Sequence, residues 1–324
     1  VYWLSGGHIS TGGLQIGDIT AVIEYAMMVL FFLMMAQMVI LTLPRALECC
    51  ERVRLVLDHT PEIVDLVAQD PEEDHGGPEV LAFRDVSFRF QDAEEDTLSH
   101  LDFVCRRGET TAIIGGTGSG KSTVASLILR FHDVTDGAIE LNGTDIRDMT
   151  QEGLRDHLAY VQQKAWLFSG TIAENLRYSR PDATQEELMH AADVAQAGDF
   201  IRSLPEGLDS HVAQGGTNFS GGQKQRLSIA RALVKRPELY IFDDSFSALD
   251  FKTDAALRKA LAAETRDAAV LIIAQRVSSI RHADRIVVLH EGRMAGIGTH
   301  EDLMASCQVY QEIYRSQTKE AQEA

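Results

Sequence analysis

The sequence predicts an α/β fold with a P-loop core, a helical insertion within that core and an apolar helix ahead of it. Three stretches carry the prediction. Gly115-Gly116-Thr117-Gly118-Ser119-Gly120-Lys121-Ser122-Thr123 follows a short apolar strand-like run, Thr111–Ile114, and precedes a helix-like run, Val124–Leu129. Strand, glycine-rich loop and helix in that order is the context a P-loop needs. Leu239-Tyr240-Ile241-Phe242-Asp243-Asp244 is an apolar strand ending in carboxylates, the Walker B form. Ala26 to Leu43 is 18 consecutive residues without a charge, the length at which a membrane-spanning helix becomes the natural reading.

The chain has 324 residues, 45% hydrophobic and 24% charged, which suits one large globular unit or two smaller ones. Its net charge of −18 argues against nucleic acid as a partner, because phosphate neutralisation needs a basic face. Cys49, Cys50, Cys105 and Cys307 show neither zinc nor redox spacing and read as buried or idle thiols in a reducing compartment. A chain that begins at Val1 rather than Met reads as a fragment.

Taken in order, Gly12-Gly13 and Gly17-Asp18 mark a turn, with Asp18 as an expected N-cap. The spanning helix is expected over about 19–43; those 25 residues would rise about 37 Å. No basic segment precedes the apolar run, so it is not a signal peptide. A buried core helix of a soluble protein is the competing reading, but such helices are usually shorter. Residues 1–44 hold no Lys or Arg, whereas Arg45, Arg52 and Arg54 follow at once, which places the C-terminal end in the cytosol. Pro44 is expected to kink a helix that continues as a cytosolic extension over 45–57 and stops near Asp58–Pro61. Membrane lipid is therefore an expected partner of 1–61. Residues 62–78, acidic and carrying Pro71, Gly76, Gly77 and Pro78, read as an exposed linker.

Val80–Phe90 alternates as a strand. In the loop that follows Ile114, glycines let backbone N–H groups wrap a phosphate chain, and the helix start adds partial positive charge. Lys121 would reach the β- and γ-phosphates and the Ser122 hydroxyl would ligate Mg²⁺. Ala138–Leu141 and His157–Val161 read as strands, with Gln162-Gln163 after the second. Thr171 to about Phe200 is mostly helical and interrupts the strand pattern, an expected insertion. Asn218-Phe219-Ser220-Gly221-Gly222-Gln223-Lys224-Gln225-Arg226 then opens a second helix, with Ser220 a good N-cap. One P-loop already serves one triphosphate, so a second anion-seeking helix start suggests a nucleotide sandwiched between two chains. Asp243 would hold Mg²⁺ through water. Ser247-Ala248-Leu249-Asp250, a buried strand Ala269–Ala274 ending at Gln275, a strand Ile286–Leu289 and a turn at Glu291-Gly292 follow. From Gly298-Thr299 the chain reads as helical, ending in a polar tail over 317–324.

The order GGTGSGKST, Gln163, FSGGQKQR, IFDD, SALD resembles the ATPase domain of ABC transporters, and the apolar helix resembles the last transmembrane helix of an exporter half-transporter. The resemblance covers nearly the whole chain. It implies a RecA-like ABC ATPase domain over 79–316 with an antiparallel β subdomain and an inserted helical subdomain. It also implies ATP and Mg²⁺ as cofactors and a cytoplasmic nucleotide-binding domain on a multi-pass protein of the cell membrane. By the resemblance Phe90 stacks on adenine; Gly115 through Thr123 cradle the phosphates; Ser122, Gln163 and Asp243 hold Mg²⁺; and Gln163 relays to the membrane domain. Ser220, Gly221, Gly222 and Gln223 would bind the γ-phosphate of ATP held by the opposite subunit, and Asp250 is the D-loop aspartate. Exporters of this kind have six helices per half, so most of the membrane domain lies outside this sequence and the cargo is not readable.

Two departures bear on mechanism. Asp244 stands where the family has the glutamate that orients and deprotonates the attacking water, and Gln275 stands where it has histidine. The carboxylate is set back by one methylene, and an amide cannot become cationic. Ala213-Gln214-Gly215-Gly216 also differs from the cross-talk stretch of many exporters. The pattern resembles one half of a heterodimeric exporter whose own Walker site is degenerate and whose intact signature serves a second half-transporter. A homodimer with a working Asp244, a soluble ABC ATPase acting on nucleic acid or ribosomes, and a nucleotide-holding regulatory subunit are the alternatives.

Overall fold

The computed structural model describes residues 16–61, 63–65, 77–247 and 249–323, and the chain divides into two compact units, Val1–Glu62 and Ile63–Ala324. The expected turn at Gly12-Gly13, linker residues 66–76 and Ala248 lie outside the described residues.

The first unit contributes helix α1, Ile16–Leu57, 42 residues long. It begins before Asp18, which therefore sits in the first turn instead of capping it; a carboxylate there still complements the helix dipole. Met27, Phe31, Phe32, Leu33, Met34, Ile40 and Leu41 are all exposed, as a lipid-facing surface requires. Pro44 lies inside the helix and withholds the N–H that would reach the Ile40 carbonyl. Beyond it the surface turns polar, with Arg52 beside Glu48 at 3.4 Å and Arg54 beside Asp58 at 3.3 Å.

In the second unit, β1 (Glu79–Phe88) pairs with β2 (Leu98–Arg106) and, on its other side, β4 (Asp136–Leu141). With β5 (Thr144–Asp145) they form an antiparallel sheet of order β2-β1-β4-β5. Phe83 stacks on Phe103 across the pair, ring centroids 4.5 Å apart. The strand expected to reach Phe90 ends at Phe88.

The second sheet holds the loop. Its order is β12-β11-β3-β10-β9-β6, in which β6 (Leu158–Val161), β9 (Leu239–Asp243), β10 (Ala269–Ala274), β3 (Thr110–Gly115) and β11 (Arg285–His290) run parallel. Only β12 (Arg293–Gly298) is antiparallel to its neighbour. All six residues of β10 are buried, the near-continuous apolar run of a parallel strand covered on both faces. Alternation sorts them. Ile114, Phe242, Ile272 and Ala274 face the core shared with the helical insertion. Ile113, Ile241, Leu271 and Ile273 face the core shared with the antiparallel sheet and helix α2 (Lys121–Ile128). Each Ile, Leu or Phe among them contributes roughly 1.5–3 kcal/mol by leaving water.

Helix α3 (Gln151–Asp156) precedes β6. The insertion comprises α4 (Ile172–Arg177), α5 (Gln185–Val194) and α6 (Gly198–Ser203), with a short β7–β8 ladder, Gly170–Thr171 against His211–Val212. Thr171 with Glu174, and Thr184 with Glu187, form capping boxes that start two of these helices. Helix α7 (Gly221–Lys235) packs against α4 and α5; its Arg226 donates to the Gln196 carbonyl at 2.7 Å. After α8 (Phe251–Glu264) and α9 (His300–Ser306), helix α10 runs from Gln308 to Glu323, so the residues expected as a tail continue a helix.

Arg130 is 1% exposed yet carries a charge. It donates to the Met149 carbonyl at 2.7 Å, the Val64 carbonyl at 3.2 Å and Asp133 at 3.1 Å, with Asp65 3.8 Å away. Arg130→Met strands these acceptors. Because both aspartates are partly exposed and can turn to water, the expected loss is about 2–4 kcal/mol. Chemical denaturation of the purified variant measures it; an unchanged midpoint would refute the assignment.

Candidate nucleotide-binding site

The loop lies between the end of β3 and the start of α2. Gly120 has φ +95°, and a Cβ there would strike the Leu98 side chain; a Cβ on Gly115 would strike the Leu289 carbonyl and Ser119. At Gly116 nothing lies within 4 Å of that position, so the backbone is open to an incoming group. Lys121 Nζ donates to the carbonyls of Gly115 and Gly116 at 2.7 and 2.6 Å. Burial lowers its pKa, while the nearby carboxylates of Asp243 and Asp244 oppose the shift. Ser122 is exposed in the first turn of α2, among helix-start N–H groups that lack intrahelical acceptors. A bare glycine backbone, an ammonium and a helix start fit a phosphate chain.

Asp243 ends β9. Tyr160 Oη donates to its Oδ2 at 2.9 Å. Burial raises the Asp243 pKa, the adjacent Asp244 carboxylate adds to this, and the Tyr160 hydrogen bond and Lys121 oppose it. Burial and the neighbouring Asp243 carboxylate also push the Tyr160 hydroxyl up. Asp244 has φ +45°, a conformation Asp tolerates better than most residues. Its N–H donates to the Ile273 carbonyl at 2.7 Å, and its Oδ2 accepts from Gln163 Nε2 at 3.0 Å. Lys121, Gln163, Asp243 and Asp244 are thus brought together. The hydroxyl, amide and carboxylate oxygens of Ser122, Gln163 and Asp243 suit a hard cation. Among the described residues no three His, Cys, Asp or Glu side chains form a metal cluster.

Other predicted residues stand apart. Phe90 is exposed just past β1, edge-on to Phe88 at 4.8 Å and to His132 at 5.3 Å. Ser220 caps α7: its Oγ accepts from the Gln223 N–H at 3.3 Å, and Gln223 Oε1 accepts from the Ser220 N–H at 2.9 Å. No hydrogen bond among the described residues joins Ser220–Gln223 to the P-loop. One turn on, buried Gln225 donates to the Gln162 carbonyl at 3.2 Å and ties this helix to the segment that carries Gln163. Asp250 caps α8 through the Thr253 N–H at 3.0 Å, and that bond and the Thr253 hydroxyl hold its carboxyl below the usual range. Gln275 is exposed at the end of β10.

Tyr160 was missed by the motif reading. The available signal was a tyrosine in a strand, on the face shared with Leu158; a buried hydroxyl needs a partner. Tyr160→Phe removes a donor to the ionised Asp243, so the Asp243 pKa rises further. If hydrolysis requires ionised Asp243, the acidic limb of the pH–rate profile moves to higher pH, while the alkaline limb stays. A superimposable profile would contradict this.

A parallel sheet whose central strand feeds this loop, an adjoining antiparallel sheet and a helical insertion followed by a capped glycine-rich helix define an ABC ATPase fold. Residues 98–247 match the ABC transporter family model. The chain carries an ABC transporter ATPase domain, preceded by a long apolar helix. It is 42% identical over 322 residues to the uncharacterized ABC transporter ATP-binding protein Rv1273c of Mycobacterium tuberculosis, covering 98% of this chain and 55% of that protein. It is 37% identical over 320 residues to the uncharacterized ABC transporter ATP-binding protein YfiB of Bacillus subtilis, covering 98% and 54%. A solved bacterial Atm1-family ABC exporter with ATP bound superposes with a TM-score of 0.81 at 35% identity, over 94% of this chain and 53% of that one. The chain spans about half the length of these relatives.

Proposed function

We propose that this chain is the ATP-binding part of an ABC exporter half-transporter, which couples ATP binding and hydrolysis at a two-chain interface to movement of a substrate across the cell membrane. The P-loop, with Lys121 and Ser122, holds ATP and Mg²⁺ together with Asp243 and Gln163, and Phe90 stacks on adenine. Ser220, Gly221, Gly222 and Gln223 complete the site of a second half-transporter, with Asp250 at the junction. This chain's own Walker site turns over slowly, so the working assembly is a heterodimer.

The observation that supports slow turnover is the pairing of Asp244 and Gln275 with an unaltered signature segment. Asp244 accepts a hydrogen bond from Gln163, and its short side chain holds the carboxylate back from a water that a glutamate would reach. Support for a membrane setting comes from α1, whose apolar side chains are exposed over a length sufficient to span a bilayer.

The test uses the assembled full-length transporter in lipid. Asp244→Ala should leave most turnover intact, and replacing the glutamate that follows the partner's Walker B aspartate should remove it. The reverse result would overturn the assignment. Full turnover by this chain assembled only with itself would favour a homodimer, and release from membranes by alkaline carbonate would favour a soluble ATPase.

A further inference from the structure

The C-terminal helix reaches the segment that carries Gln275. Gln317, on α10, makes two hydrogen bonds to the main chain there. Its Nε2 donates to the Gln275 carbonyl at 2.7 Å, and its Oε1 accepts from the Val277 N–H at 2.8 Å. These groups lie on either side of Arg276, just past Ala274, where β10 stops pairing with β3. A single amide therefore takes the place of sheet partners for two backbone groups that the strand no longer serves. Val277 is buried and opens a short 3₁₀ turn, Val277–Ser279.

The helix that presents Gln317 is itself anchored. Tyr310 is fully buried, and its hydroxyl lies 2.8 Å from His300 Nδ1. Gln311 donates to the Met304 carbonyl at 2.9 Å. The near end of α10 is thus fixed on α9, and its far half delivers the amide. Only an amide of this length supplies both a donor and an acceptor here; glutamate can accept from Val277 but cannot donate to Gln275.

We propose that Gln317 is a positioning residue for Gln275: by clamping the main chain at 275 and 277 it sets the point from which the Gln275 side chain reaches the γ-phosphate. This rests on the proposed function above and on reading Gln275, which stands at the family's histidine position, as an amide that donates to the γ-phosphate. Without the clamp the two backbone groups turn to water, and the segment gains freedom at a position where about 1 Å matters.

The test uses the assembled full-length transporter, with 8-azido-ATP photolabelling to read ATP and ADP on this chain alone. Gln317→Ala should slow conversion of ATP to ADP on this chain about fivefold to tenfold, with labelling at saturation, apparent KM for ATP and thermal midpoint unchanged. Gln317→Glu, which keeps the acceptor and loses the donor, should fall between that variant and the natural chain. Gln275→Ala should slow conversion as well, and the double variant should be no slower than Gln275→Ala. An unchanged rate in Gln317→Ala, or a double variant in which the two effects multiply, overturns the clamp while leaving the Gln275 reading in place. A normal rate in Gln275→Ala removes that reading and the clamp with it. If Gln317→Ala does not assemble, Gln317→Glu decides: an unchanged rate overturns the proposal.

Discussion

Lys121→Ala is expected to lower hydrolysis at this chain's own Walker site by about 10²–10³-fold. The ammonium donates to two loop carbonyls and lies among Asp243, Asp244 and the start of α2. Bound phosphate brings negative charge to the same place, and no other cation of the loop can meet it. Alanine leaves the glycine backbone free to wrap the phosphates but removes the only full positive charge in Gly115–Thr123. The charge is worth more here than in open water because the site is half-buried. Nucleotide labelling of this chain, compared with that of the proposed partner, checks the prediction. A variant that labels and converts ATP on this chain at the natural rate would contradict it.

Asp244→Glu has the next largest expected effect, in the opposite direction. One added methylene carries the carboxylate forward from its position against Gln163, toward where the family's glutamate addresses the attacking water. Since a misplacement of about 1 Å can cost roughly a hundredfold, conversion on this chain should rise about tenfold to a hundredfold. Part of that gain is opposed by the backbone: φ is +45° at this residue, which Glu tolerates less well than Asp. A variant no faster than the natural chain would show that Asp244 already reaches the water, or that Gln275 alone limits the site.

The elements read correctly from sequence are those whose physics is local. The P-loop needs glycine at crowded and left-handed positions between a strand and a helix, so its residues announce it. Ser220 and Gln223 form the capping box that an S-x-x-Q pattern permits. The buried parallel strands show as short apolar runs. What stayed hidden depends on distant pairing. Tyr160 and Asp243 are 83 residues apart, and Gln163 and Asp244 are 81 apart. The bond from Gln317 to Gln275 spans 42 residues and emerges from a stretch that reads as a polar tail. Strand β2 was missed because Ser99, His100 and Asp102 break its apolar pattern, although Phe83 and Phe103 stack across it. Asp18 read as a cap because it follows glycine; the helix begins two residues earlier.

The proposed function requires that one nucleotide be held by two chains. The most direct measurement is a structure of the assembled full-length transporter, closed in ATP and Mg²⁺. The expected result is that Ser220 Oγ and the N–H groups at Gly221 and Gly222 lie within hydrogen-bond reach of the γ-phosphate bound to the other subunit's P-loop. A closed, working assembly in which that helix start faces solvent, or meets a phosphate held by its own chain, would contradict it.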